Sequence, residues 1–253
     1  MTSRLPCFTW YELATPDVNA AVAFYGAVVG WTAEQTTISD KPYTWLSAGD
    51  TPVAGVSEVD GSPPSWTGSI LVDNLDATLK RARDAGAKLI YGPNDVPDMV
   101  RYAVLADPQG VVFAIHQALT DQPECTGEHM RPGTFGWSEL NADTMESAFA
   151  FYSGLFGWSK SEDLDMGEMG IYRIFTAGND PVGGMMTRTK DCPLAYWQFY
   201  INVDNINAAI ERITSNGGKV LHGPHEVPGG AWIVIANDPQ GVSFALVQPP
   251  GGA

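Results

Sequence analysis

One stretch of this chain is written twice. Phe8 to Trp31 reads FTWYELATPDVNAAVAFYGAVVGW, and Phe135 to Trp158 reads FGWSELNADTMESAFAFYSGLFGW, with 10 of 24 positions identical at an offset of 127. A second pair, DPQGVVFAIHQ from Asp107 and DPQGVSFALVQ from Asp238, matches at 8 of 11 positions with an offset of 131. Between them, Trp66 and Val72-Asp73-Asn74 return as Trp197 and Val203-Asp204-Asn205. Repeats in fixed order imply a duplicated structural unit. The chain therefore divides into two homologous halves, 1–122 and 133–253, with a polar linker over 123–132.

Each half has the same element order. Cys7 to Ala14 alternates as a strand. Thr15-Pro16-Asp17 starts a helix, with Thr15 expected as its cap. Val18, Ala21, Val22, Tyr25 and Val29 keep helical spacing, and Gly30 stops it. Three strand-like runs follow, around 33–38, 43–48 and 53–59. The order then restarts at Trp66, with Asp73 expected to cap a second helix that Gly86 ends. Three further strands cover 88–91, 101–106 and 111–117. The whole chain reads as four βαβββ units, an α+β fold of curved mixed sheets with helices outside.

Charge narrows the partners. Fourteen Lys and Arg against 29 Asp and Glu leave a net charge of −15. Such a chain repels phosphate backbones and anionic lipid surfaces, so neither nucleic acid nor membrane is expected. No apolar run approaches the roughly 20 residues needed to span a bilayer. Three scattered cysteines, Cys7, Cys125 and Cys192, suggest free thiols in a reducing, cytoplasmic setting. His222-Gly-Pro-His225 reads as a loop in which the two rings do not share a face.

FYGAVVGW, FYSGLFGW and the two DPQG turns resemble the signatures of the vicinal oxygen chelate superfamily. That superfamily includes glyoxalase I, bleomycin-resistance proteins and extradiol dioxygenases. The W-x-E-L starts and Val182 to Met185 are most similar to two-domain glyoxalase-like proteins typified by mycobacterial culture-filtrate antigens. The resemblance implies a divalent metal held by His, Glu or Gln on four strands of a paired unit. Carried over one at a time, those positions are Trp10, Gly55, Thr67 and Ala114 in the first half. In the second they are Trp137, Gly184, Gln198 and Ala245. Only Gln198 could ligate, so no metal and no other cofactor is expected, a divalent metal being disfavoured.

Glu12 and Glu139 are the repeated carboxylates, each two residues after a Trp and so on the same strand face. They are the candidate catalytic residues. Candidate ligand-binding residues are Trp10, Trp137, Thr67, Gln198, His116, Tyr43, Tyr172 and Arg173. The expected function is small-molecule binding in aromatic clefts without the usual metal site. The alternative is an atypical lyase or isomerase with Glu12 or Glu139 as general base, with or without a non-standard divalent metal. A third is a partner-binding protein whose clefts are filled by side chains. The chain is expected as a monomer with an internal pseudo-two-fold, or as a homodimer.

Overall fold

A computed structural model describes residues 6–59, 61–120 and 130–251. Most of the expected linker, and Cys125 with it, lie outside the described residues. The first half runs β1 (Phe8–Thr15), α1 (Val18–Val29), β2 (Thr32–Ile38), β3 (Lys41–Ala48), β4 (Thr51–Glu58), β5 (Ser65–Leu71), α2 (Leu75–Asp84), β6 (Lys88–Val96), β7 (Val100–Ala106) and β8 (Val112–Ala118). The second runs β9 (Phe135–Ala142), α3 (Met145–Phe156), β10 (Ser159–Asp165), β11 (Ile171–Ala177), β12 (Asp180–Thr187), β13 (Tyr196–Asn202), α4 (Ile206–Ser215), β14 (Lys219–Glu226), β15 (Trp232–Asn237) and β16 (Ser243–Gln248). These are four βαβββ modules, and the fold is α+β.

Two mixed eight-stranded sheets result, β2-β3-β4-β1-β5-β8-β7-β6 and β10-β11-β12-β9-β13-β16-β15-β14. β1 pairs parallel to β4, and β9 to β12. A parallel neighbour requires a crossover, which α1 and α3 supply. Gly30 and Gly157 end those helices in the left-handed region, at φ 78° and 73°, where a Cβ would be strained.

The helix starts differ from the expectation. The cap of α1 is Asp17, whose carboxylate accepts from the Ala20 amide at 2.9 Å. Thr15 stays in β1 as an extended residue before proline, and its hydroxyl donates to Gln240 Oε1 at 2.7 Å. The cap of α2 is Asn74 rather than Asp73, because Asn74 holds the extended φ from which a side chain reaches the Ala77 amide. Cysteine chemistry also departs from the expectation. Cys192 is free, but Cys7 is disulfide-bonded. Disulfide pairing follows distance in space, which spacing along the chain does not report.

Strand pairing follows the halves, whereas packing groups the modules differently. One compact unit gathers the start of β1, Gly68 through β8, and Ser138–Gln198; the other gathers Tyr11–Thr67, the start of β9, and Phe199 onward. The second and third modules thus share one core, and the first and fourth share another. In the former, Phe113, Tyr152, Phe156, Trp158, Phe175 and Trp197 are all buried. The latter is built from Tyr11, Phe24, Tyr25, Trp31 and Phe244.

The repeated signatures meet inside these cores. Tyr152 of α3 donates its hydroxyl to Asp107 at 3.1 Å and accepts from Trp197 Nε1 at 3.1 Å. Tyr25 of α1 does the same with Asp238 at 3.4 Å and Trp66 Nε1 at 3.0 Å. The DPQG glutamines dock on the helix starts: Gln109 accepts from the Thr144 amide and Gln240 from the Asp17 amide, each at 2.9 Å. The DPQG segments are turns, closed by Gly110 and Gly241 amides on the Asp107 and Asp238 carbonyls. They are also the sockets for the FY helices.

Burial raises the carboxyl pKa of Asp107 and Asp238 against the opposing pull of backbone amides and the tyrosine hydroxyl. A folded-state pKa above the unfolded one favours the folded state most when the carboxyl is protonated. This contribution is complete below the unfolded carboxyl's pKa and is lost as pH rises through the folded one. Asp107→Asn and Asp238→Asn cannot titrate. Urea denaturation at pH 7 and pH 4.5 should therefore show the wild type gaining on either variant as pH falls; an unchanged or shrinking gap would refute this.

Two imidazoles also lie closer than the sequence suggests. His222 and His225 are on β14, with ring centroids 4.2 Å apart. Across the β14–β15 ladder His222 faces Ile235 and His225 faces Ile233, so three steps on one strand match two on the other. Regular alternation would place residues three apart on opposite faces. The extra residue of this β-bulge restores them to one side.

Candidate functional site

The face of a strand is set by its alternation. On β1, Tyr11, Leu13 and Thr15 are buried while Trp10, Glu12 and Ala14 are half-buried. On β9, Ser138, Leu140 and Ala142 are buried while Trp137, Glu139 and Asn141 are half-buried. The two carboxylates therefore stand on the more open face of each strand. Leu13 and Leu140 are fully buried on the other.

Each carboxylate is met by a tyrosine from the third strand of its own module. Tyr43 of β3 donates its hydroxyl to Glu12 Oε1. Tyr172 of β11 donates to Glu139 Oε2 at 3.1 Å. A glycine lies beneath each pair. Ladder pairing sets Gly55 opposite Glu12 and Gly184 opposite Glu139. A Cβ on Gly55 would collide with Tyr43 Oη and Cζ, and one on Gly184 with the same atoms of Tyr172. The missing side chain is what lets the ring lie across the strand to reach the carboxylate.

The two sites are not identical. Trp45, two residues beyond Tyr43 on the same face of β3, meets the Tyr43 ring edge-on at 5.3 Å. Its counterpart on β11 is Ile174. Beside Glu139, Asn141 Nδ2 donates to Oε1 at 3.0 Å, where the first half has Ala14. Tyr196 has its pKa pushed up to about 12 by burial, then by the charges of Cys192 and Glu139. Trp45, Asn141 and Tyr196 were not anticipated. Period-two spacing from Tyr43 and Glu139 was the available signal for the first two.

The other expected residues sit elsewhere. Arg173 follows Tyr172 directly, so it takes the opposite, buried face. There it bonds Asp163 at 2.8 and 2.9 Å and Glu146 at 2.8 and 3.0 Å, and lies over the Phe149 ring. Asp163 is held near pKa 2, chiefly by the Arg173 hydrogen bonds. This arginine pins β10 and α3 to β11 and is not available to a ligand beside Glu139. His116 is buried, with Ser69 Oγ 2.8 Å from Nδ1 and Thr9 Oγ1 3.3 Å from Nε2. Gln198 is buried, and Thr67 half-buried.

A glyoxalase-like domain model matches residues 10–116, and the glyoxalase/bleomycin resistance protein/dioxygenase superfamily model matches 134–246. The anthracycline biosynthesis protein DnrV of Streptomyces peucetius is 31% identical, over 94% of this chain and 92% of that protein. The chain belongs to the glyoxalase/bleomycin resistance protein/dioxygenase superfamily. Another superfamily relative, named "Putative glyoxylase CFP32" from Mycobacterium tuberculosis, is 27% identical over 95% of this chain and 94% of its own. In fold, this superfamily member is similar to a Mn(II)-bound glyoxalase from Novosphingobium aromaticivorans, with TM-score 0.69, 16% identity, and coverage of 97% and 83%. It is also similar to the 2,3-dioxygenase LapB from Pseudomonas sp. KL28, with TM-score 0.67, 13% identity, and coverage of 100% and 94%.

The superfamily's metal can be tested against the residues present. The carried-over positions offer Trp10, Gly55, Thr67 and Ala114, then Trp137, Gly184, Gln198 and Ala245. None supplies an imidazole, thiolate or carboxylate, and one amide oxygen is no cage. At Gly55 and Gly184 a tyrosine ring fills the space a ligating side chain would use. Among the described residues no three His, Cys, Asp or Glu side chains are placed to hold an ion together. These positions do not fit a divalent metal. Among the described residues, no helix is long and apolar enough to cross a membrane.

Proposed function

We propose that this superfamily member binds a small organic ligand at its two glutamate–tyrosine pairs without a metal at the superfamily's ligand positions. The observation that carries this reading is the repetition of the pair, half-buried, over a glycine where a metal-binding relative would need a donor. A half-buried carboxylate with a tyrosine hydroxyl on one oxygen is an acceptor for a ligand hydroxyl or amine. Tyr43 and Trp45 add an aromatic wall on which a flat ring can rest. The relative named for anthracycline biosynthesis supports a ligand that is itself a small organic molecule.

A second reading is favoured by the tyrosine-to-glutamate hydrogen bond, which is an arrangement suited to moving a proton. On it, Glu12 or Glu139 is the general base of a lyase or isomerase. In their metal-free form both readings predict that chelation changes nothing. The test is a titration of hydroxylated and amine-bearing aromatic compounds into EDTA-treated protein, followed calorimetrically, with turnover measured in parallel. Binding should survive chelation and weaken at least tenfold in Glu12→Gln or Glu139→Gln, the corresponding site being lost in each. Binding or methylglyoxal-hemithioacetal turnover that chelation abolishes would overturn the proposal. Chelation-resistant turnover lost in the Gln variants would select the enzyme.

A further inference from the structure

We infer that His222 and His225 on β14 form a second, independent site that takes a borderline divalent transition-metal ion, Cu2+, Ni2+ or Zn2+, at the protein surface. It owes nothing to the glutamate–tyrosine pairs and lies outside the positions where the superfamily places its metal.

The first support is backbone geometry. The bulge in the β14–β15 ladder makes two residues three apart share one side, with ring centroids 4.2 Å apart and planes inclined at 58°. Bulges re-aim side chains, and this one aims two imidazoles at the same volume. The first half has the same bulge, with Tyr91 facing Val104 and Asn94 facing Tyr102. There the scaffold carries Tyr91 and Asn94 instead of two histidines. The frame is thus common to both halves, and the pair of nitrogen donors belongs to one.

The second support is the state of the rings. Both are exposed, and no hydrogen bond ties either ring to another described residue. His116, by contrast, has hydroxyls beside both ring nitrogens. Partial burial, and then the proximity of His225, lower the His222 pKa. That favours the neutral imidazole, which is the form that ligates. Proximity that disfavours two protons equally favours one shared cation.

The chemistry selects the ion. Two imidazoles suit copper, nickel and zinc, whereas magnesium and calcium demand oxygen donors. Water completes the coordination, so the site is open to exchange. Its two-donor set predicts weaker binding than a closed four-ligand site.

The test uses the whole chain in a Cys192→Ser background, which removes the free thiol as a competing ligand. Substoichiometric Cu2+ is added while the imidazole resonances are followed by NMR, and Zn2+ is titrated calorimetrically at pH 7.5. The expected result is broadening of the His222 and His225 signals before that of His116, with one Zn2+ bound per chain. Affinity should fall at least tenfold in His222→Asn and in His225→Asn, the latter placing the residue that the first half's bulge carries at the same point. It should fall again in the wild type at pH 5.5. No uptake, uptake equal in the Asn variants, or broadening centred elsewhere would overturn the site. Ligand binding at Glu12 and Glu139 is read separately, so either proposal can fail alone.

Discussion

Tyr152→Phe lowers stability by about 2–4 kcal/mol, and Tyr25→Phe by a similar amount. Removing the Tyr152 hydroxyl takes one hydrogen bond from each of two buried groups. Trp197 Nε1–H loses its acceptor, and the Asp107 carboxylate loses its side-chain donor. Tyr152 and Tyr25 are fully buried and Asp107 and Asp238 nearly so, so water cannot readily replace the lost bonds. Each stranded group costs about 1–3 kcal/mol. For a chain of this length that is a fall in Tm of roughly 5–15 °C. Tyr172→Phe, at a half-buried position, should cost less than about 1 kcal/mol by the same reasoning. Thermal and urea unfolding of the three variants tests the ranking. Equal effects from Tyr152→Phe and Tyr172→Phe would show that the buried triad is not the source of stability assigned to it.

If the proposed sites bind a ligand, Gly55→Ala and Gly184→Ala should each weaken binding at least tenfold in their own half and leave the other intact. A methyl group at either position occupies space now held by a tyrosine hydroxyl and Cζ. Neither glycine has the positive φ that would penalise alanine by itself. The strain therefore falls on the tyrosine side chain, which must swing off the glutamate. Loss of binding by at least tenfold corresponds to about 1.4 kcal/mol, within the range for one charge-assisted hydrogen bond. Unfolding curves should move little compared with Tyr152→Phe. Unaltered binding in Gly55→Ala would mean that the tyrosine's position over the strand is irrelevant to the ligand.

The sequence made the elements legible because their signals are local. Alternation on β1, the helical spacing from Val18 to Val29 and the glycine after it all act within a few residues. The faces of Trp10 and Glu12 follow from the same alternation. The helix caps were harder because neighbouring residues compete for one role. Asp73 and Asn74 can both cap, and only backbone dihedrals decide between them. Arg173 was misjudged for want of one parity argument: adjacent strand residues cannot share a face, so Tyr172 and Arg173 cannot line one site. The bulge hid His222 and His225, since an inserted residue reverses the parity on which strand arguments depend. The tyrosine–aspartate contacts are non-local and leave no mark in spacing.

The grouping of modules also has a consequence in time. Tyr152 and Asp107 are 45 residues apart, while Tyr25 and Asp238 are 213 apart. A ribosome adding roughly 5–20 residues per second exposes the Tyr25 helix about 10–40 s before its aspartate exists. The core of the second and third modules can close while the chain is still being made. The first module must wait, its aromatic face in water, for the last module to emerge. The middle of the polypeptide can therefore close its core before the Tyr25 helix meets its aspartate, and in that interval the aromatic face of the first module is open to chaperones and to aggregation.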